Sequence, residues 1–362
     1  MLDSQIMYAD QSRIKYLWIA ILVLSTLACR AATRLVIPDI PTPLPTSTAT
    51  MTATPTPTPL PTFTPTVIFE AACPAVVEGI LNTVTSNVDL SGQGSDQTIE
   101  EEEGITLITY EVVKDRITGP HIESVPEELK DERDDRRAHE AIWEYYASVV
   151  PAEERQLVSE FAIFTDGRGS HLAAVSPTFP DPEQWSLQVD ILDSGNYDEL
   201  TYTLIHEQGH LLTLNASQVP PSKLILRFPE NETVYRQEAD ACPQYFVGEG
   251  CSNPDSYINQ FFDRFWTELY DEWELIDQEK DKDTQHSLLE DFYRTYKDQF
   301  LSDYAPTSPV EDIAESWAFF VLSPKPELNS IANEKILFFY EYPELVALRT
   351  QMLKNICAEF PQ

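Results

Sequence analysis

The alternation of apolar and polar positions divides the chain into three stretches. From Tyr16 to Ala28, "YLWIAILVLSTLA", nearly every residue is apolar. Residues 38 to 66, "PDIPTPLPTSTATMTATPTPTPLPTFTPT", show no apolar period, and the periods of regular structure begin only near residue 68. From there "CPAVVEGILNTV" predicts a helix and "GITLITYEVV" a strand. Residues 127 to 150, "EELKDERDDRRAHEAIWEYYASVV", predict one charged helix that becomes amphipathic toward its end. Three strand-like runs follow, "LVSEFAIFTD", "HLAAVSP" and "WSLQVDIL", separated by Gly, Pro and Asp turn signals, with "TDGRGS" (residues 165 to 170) reading as a hairpin turn. A helix is predicted from Asp198 to about Leu214. Beyond Tyr257, aromatic stripes such as "YINQFFDRFWTELYDEW" and "LLEDFYRTYKDQF" recur at helical spacing and read as core. Strands, then a central helix, then a largely helical C-terminal half make an α+β domain with a small mixed sheet.

Composition narrows the class. The 362 residues are 42% apolar, enough to bury one large core or two modest ones. Sixty acidic against 24 basic residues give a net charge of −36, which repels nucleic acid phosphates and anionic lipid head groups and so excludes nucleic acid as a partner. It also reads as a well-solvated surface. No Asp-x-Asp-x-Asp-Gly loop is present to suggest calcium.

The first stretch speaks of location. Arg13 and Lys15 precede the apolar run, which as a helix is about 20 Å long, short of the roughly 30 Å hydrocarbon core. That length fits a signal-peptide core. The run ends in "STLAC", which resembles a bacterial lipobox, departing from it at Thr26 where leucine is usual; Cys29 would then be lipidated. An uncleaved anchor and ordinary secretion are the alternatives, and all three send the bulk of the chain outside the cytoplasm, to the extracellular face of the membrane or beyond. The Pro/Thr tract cannot bury a core and favours extended polyproline conformation, a spacer of some 90 Å at about 3.1 Å per residue. The expected organisation is therefore a signal peptide with lipobox over 1–29, a linker over 30–67 and one domain over 68–362.

Four cysteines lie in that domain: Cys73, Cys242, Cys251 and Cys357. An even number in an exported domain suggests two disulfides, with three pairings open. Cys242 and Cys251 bracket a turn-rich loop that a local bridge would close, which leaves Cys73 with Cys357.

The predicted central helix carries "TLIHEQGHLLTL", residues 203 to 214, with His206-Glu207-x-x-His210 inside an apolar run. Residues four apart share a helix face, so the two imidazoles can meet one metal ion, and Glu207 sits one position round, where it can take a proton from an activated water. The plain alternative is a buried helix with hydrogen-bonded histidines. A catalytic zinc needs a third protein ligand and an open position. The third-histidine form fails, because Thr213 and Ala216 occupy the later positions. Two glutamates remain: Glu238 in "VYRQEADACPQYF" and Glu311 in "YAPTSPVEDIAESWAFF". Glu311 is favoured because Glu315, four residues on, shares its face and could orient a ligand histidine. A solvated acidic face suits Asp312 better than either.

With "YAPTSPVEDIAE", the HExxH helix resembles the gluzincin zinc peptidases, the group that holds anthrax lethal factor and the Pro-Pro endopeptidases. Tyr304 stands seven residues before Glu311, as in that group. The resemblance covers about residues 185 to 355 and implies a zincin-like fold. It implies Zn2+ held by His206, His210 and Glu311, Glu207 as general base, Glu315 behind a histidine, and Tyr304 stabilising the oxyanion. By the same analogy "WSLQVDIL" is the sheet edge along which an extended peptide substrate lies. The span between the motifs is long and includes the Cys242–Cys251 loop, so substrate preference does not carry over. The reading is an exported, membrane-tethered zinc endopeptidase. Its rivals are a catalytically inactive binding or sensor lipoprotein of the same fold and an inert surface protein. The remaining histidines, His121, His139, His171 and His286, have no ligand spacing and read as structural or solvated, and no Gly-x-Ser-x-Gly elbow offers a nucleophile.

Overall fold

A computed structural model describes residues 73–86, 104–167, 171–229 and 231–360. The leader, Cys29 with its lipidation, and the Pro/Thr linker lie outside the described residues. Among the described residues no helix is long and apolar enough to cross a membrane.

The domain begins with helix α1 (Pro74–Ser86), followed by the hairpin of β1 (Ile105–Val112) and β2 (Ile117–Ile122). Its turn places Lys114 and Asp115 at positive φ, 51° and 62°, the left-handed pair that a tight two-residue hairpin demands. Next come α2 (Lys130–Asp134), α3 (Arg136–Val149), β3 (Val158–Thr165), β4 (Ala173–Pro177) and β5 (Trp185–Asp190). The remainder is helical: α4 (Tyr197–Leu214), α5 (Lys223–Arg227), α6 (Glu232–Ala241), α7 (Tyr257–Phe265), α8 (Tyr270–Asp277), α9 (Lys282–Thr295), α10 (Pro309–Leu322), α11 (Ile331–Phe339) and α12 (Pro343–Glu359). This is the α+β domain expected.

The five strands form one mixed sheet in the order β2-β1-β3-β5-β4, parallel only between β3 and β5. Three expectations need correction. The single helix over 127–150 is broken: Asp135 leaves helical geometry and its side chain accepts from the Ala138 N–H, capping α3 and cutting it from the short α2. The strand "WSLQVDIL" is not the edge. As β5 it lies between β3 and β4, and Trp185, Leu187 and Val189 are all buried, so the edge is β4. The strands β3 and β4 on either side of "TDGRGS" do not pair with each other, so they form no hairpin there; residues 168–170 lie outside the described residues. Asp190 closes that end of the sheet, its two carboxylate oxygens accepting from the backbone N–H groups of Asp166 and Leu192 at 2.8 and 2.7 Å.

Helix α4 packs on β4, on α1 and most extensively on α10. The contact with α10 is unusually close because Gly209 presents no side chain: a Cβ there would stand 3.0 Å from Trp317 Cδ1 and 3.1 Å from Ala314 Cα. Around this pair the core fills with fully buried aromatics, among them Trp266, Trp317, Phe261, Phe320 and Phe339. Both disulfides follow the expected pairing, Cys73–Cys357 and Cys242–Cys251, each with Cα atoms 5.4 Å apart.

Candidate metal centre

Helices α4 and α10 bring the two motifs together. Asn196 caps α4 by accepting from the Glu199 N–H, and Ser308 caps α10 by accepting from the Glu311 N–H, with Pro309 at the first helical position. Asp198, Glu199, Glu311 and Asp312 put acidic charge in the first turns, as the helix dipole favours. Each motif residue therefore sits on a helix with a defined start, and the Gly209 contact sets the distance between the helices.

His206 Nε2 lies 3.1 Å from His210 Nε2 and 3.0 Å from Glu311 Oε2, while His210 Nε2 is 3.3 Å from the same oxygen. Two ligand atoms in a tetrahedral site with bonds of about 2.0–2.1 Å stand about 3.3 Å apart. The triangle thus has nearly the edges of one face of such a tetrahedron, and these three residues form a group that could hold a metal ion. Burial opposes charge on His206, but hydrogen bonds to Glu311 and Glu315 outweigh it and hold its pKa well above the ordinary imidazole value. Burial likewise pushes Glu311 up, yet the His210 charge and the hydrogen bonds from both imidazoles bring its carboxyl well below the usual range. The three side chains together favour positive charge between them, and a metal ion could supply it.

Around the triangle stands a supporting layer. Glu315 Oε1 accepts from His206 Nδ1 at 2.9 Å, which turns Nε2 toward the triangle. Its other oxygen accepts from the Tyr202 hydroxyl at 2.9 Å and from Ser302 Oγ. Ser302 Oγ in turn accepts from the Ala305 N–H, so one hydroxyl ties the carboxylate to the loop that carries Tyr304. Trp273 Nε1 donates to the Pro306 and Thr307 carbonyls and fixes the same loop from the other side. His210 differs: its Nδ1 is buried without a hydrogen-bond partner.

Glu207 is buried, and that burial raises its pKa against the lowering effect of the two histidines. The Val175 N–H of edge strand β4 reaches its carboxylate. The Tyr304 ring lies 6.0 Å from that of His206, half-exposed, and desolvation with the nearby Glu311, Glu207 and Glu315 carboxylates keeps its phenol protonated well above the usual range.

All six predicted site residues, His206, Glu207, His210, Tyr304, Glu311 and Glu315, therefore meet in one place. Glu238 does not join them: it accepts from Ser222 Oγ at 2.6 Å, beside the start of α5. Asp312 is the clearest error of sequence reasoning. It is 0% exposed and pairs with the equally buried Lys335, Nζ to Oδ2 2.6 Å, while Trp266 Nε1 donates to the same oxygen at 2.7 Å. This pair locks α10 to α11 immediately behind Glu311. His139 is structural as expected, buried between the Tyr110 hydroxyl and the Glu132 carbonyl. Tyr202 and Ser302 were missed. Tyr202 precedes His206 by one helical turn, a spacing that could have marked it, whereas no local pattern distinguishes Ser302. Compared with protein-family models, curated proteins and solved structures, the chain matches none.

Proposed function

We propose that this chain is a zincin-like zinc endopeptidase, exported and held at the membrane through its N-terminal lipid or signal segment. The observation that carries the reading is the near-tetrahedral face formed by His206 Nε2, His210 Nε2 and Glu311 Oε2, with Glu207 and Tyr304 beside it. Two imidazole nitrogens and one carboxylate oxygen are a donor set that suits zinc and leaves a position open. Zinc held there supplies a Lewis acid that polarises a scissile carbonyl and acidifies water.

The chain's own residues do the rest. Among the described residues no strand pairs with the outer side of edge strand β4, where an extended peptide could add its backbone hydrogen bonds. Glu207, its pKa raised by burial, is suited to take a proton from the attacking water as oxygen bonds to the carbonyl carbon. It then returns that proton to the amine nitrogen as the carbon–nitrogen bond breaks. The protonated Tyr304 phenol donates to the oxygen that gains charge in between. Glu315 keeps His206 in place throughout.

The test is elemental analysis of the purified protein with peptide-library cleavage. Wild type should hold one zinc per chain. Glu311→Ala should lose it and Glu238→Ala keep it. Glu207→Gln should keep the metal and lose at least about a hundredfold in rate. Cleavage that survives Glu207→Gln would dismiss Glu207 as base, and zinc retained in Glu311→Ala would dismiss the site.

A further inference from the structure

Past His210, α4 runs one more turn to Leu214, and Leu214 forms one wall of a small pocket that opens to solvent. Pro177 and Phe179 form a second wall, from the end of β4 and the loop that follows it. Val219 and Leu226 form the third, and there the Cys242–Cys251 loop contributes Glu249. Among the described residues, Glu249 is the one charged residue lining the cavity. At its mouth Phe179 is 71% exposed, an apolar ring left open to solvent.

The position of Glu249 is constructed by the surrounding backbone. Its carbonyl accepts from the Ser222 N–H at 2.7 Å, and the next residue, Gly250, bridges to Pro221. A Cβ on Gly250 would overlap the Pro220 carbonyl oxygen at 2.2 Å, so only glycine lets the loop beside Glu249 press this closely. Burial pushes the carboxyl up to about 7, against a hydrogen bond from its own backbone N–H and, more weakly, the His210 charge. A carboxylate among apolar walls, with its own backbone N–H as donor, gains further when a cation joins it, and an apolar guest would leave its charge without a counter-ion.

We propose that this cavity is the specificity pocket of the peptidase and selects lysine or arginine. The aliphatic stem of the substrate residue lies against Leu214, Val219 and Phe179, and its cationic head meets Glu249. The inference rests on the peptidase reading. One helical turn from His210 to Leu214 is about 6 Å along the axis, and an extended peptide advances about 3.3 Å per residue. The selected residue therefore stands one or two positions from the scissile bond. The net charge of −36 adds a longer-range preference for cationic peptides.

The experiment compares N-acetyl, C-amide peptides carrying lysine at each position around the cleaved bond with norleucine counterparts, which keep the stem and lack the charge. Wild type should favour lysine in kcat/KM by about tenfold at one position within two residues of the bond. Glu249→Gln, close in shape, should bring the ratio to about one, and Glu249→Lys should transfer the preference to glutamate at that position. Cleavage with no lysine preference, or a preference that survives Glu249→Gln, overturns the pocket and leaves the peptidase reading standing. Should no peptide be cleaved, the peptidase reading falls. Fluorescence binding of the same peptides then decides the pocket: tighter binding of lysine that Glu249→Gln abolishes supports it, and equal binding overturns it.

Discussion

Replacing Gly209 by alanine probes the contact on which the centre depends. The new Cβ would stand 3.0 Å from Trp317 Cδ1, 3.1 Å from Ala314 Cα and 3.3 Å from Ala314 Cβ. Carbon atoms rest at about 3.5–4.0 Å, so α4 and α10 must part by about 0.3–0.5 Å here. Two effects on stability oppose each other. Overpacking costs about 1–3 kcal/mol, while alanine inside a helix is better than glycine by about 0.8–1.0 kcal/mol. The net loss is about 0–2 kcal/mol, too little to unfold the domain. The proposed metal site has less tolerance. Ala314 lies between Glu311 and Glu315, so the same displacement draws Glu311 away from His206 and His210, and metal ligands tolerate about 0.2 Å. Zinc affinity should fall about tenfold or more, as it does when the groups supporting a metal site are disturbed. Competition against a chromophoric chelator reads the affinity and thermal unfolding reads the stability. Gly195→Ala, whose Cβ meets nothing within 4 Å, is the control. Undiminished zinc affinity in Gly209→Ala, or an equal loss in Gly195→Ala, would refute the reasoning.

Three further outcomes follow from the same geometry. Glu315→Gln removes the charge that orients His206 and should weaken zinc binding by about 10–100-fold; unchanged affinity would remove Glu315 from that role. Lys335→Met leaves the Asp312 charge buried without its cation and should cost about 3–5 kcal/mol in denaturant unfolding, part of it recovered by adding Asp312→Asn. A loss below about 1 kcal/mol would show that the pair adds little to the fold. Burial raises Glu249 to about 7 from an unfolded value of about 4.3, so its favourable contribution is complete below pH ~4.3 and lost as pH rises through about 7. Glu249→Gln should accordingly raise the unfolding temperature relative to wild type at pH 8 but not at pH 4, and equal shifts at both would contradict that assignment.

What could be read along the chain was what short spacing encodes. His206 and His210 share a face because they are four apart, as do Glu311 and Glu315, and those two local patterns contain most of the centre. The strand runs were visible as apolar stretches, but their order was not: β5 lies inside β4 because of pairings between distant segments, which no local period records. Asp312 misled for a related reason. Its partner Lys335 belongs to another helix, and an acidic residue in a first helical turn looks solvated until that partner is placed. Ser302 had no signature at all, since its task is to join Glu315 to the Tyr304 loop. Asp135 broke a helix whose charge pattern ran on without interruption, because its side chain satisfies the Ala138 N–H and offers the backbone a cap in place of another turn.

The Cys73–Cys357 bond makes the domain, in covalent terms, a ring: 284 positions separate two residues whose Cα atoms are 5.4 Å apart. Tension applied to the chain just outside those two positions passes from one sulfur to the other and never enters the loop of chain between them. Helices α4 and α10 lie inside that loop, so the few tenths of an ångström on which the His206, His210 and Glu311 triangle depends are shielded from mechanical load. The ring lets the domain be pulled at its seam without its centre being stretched.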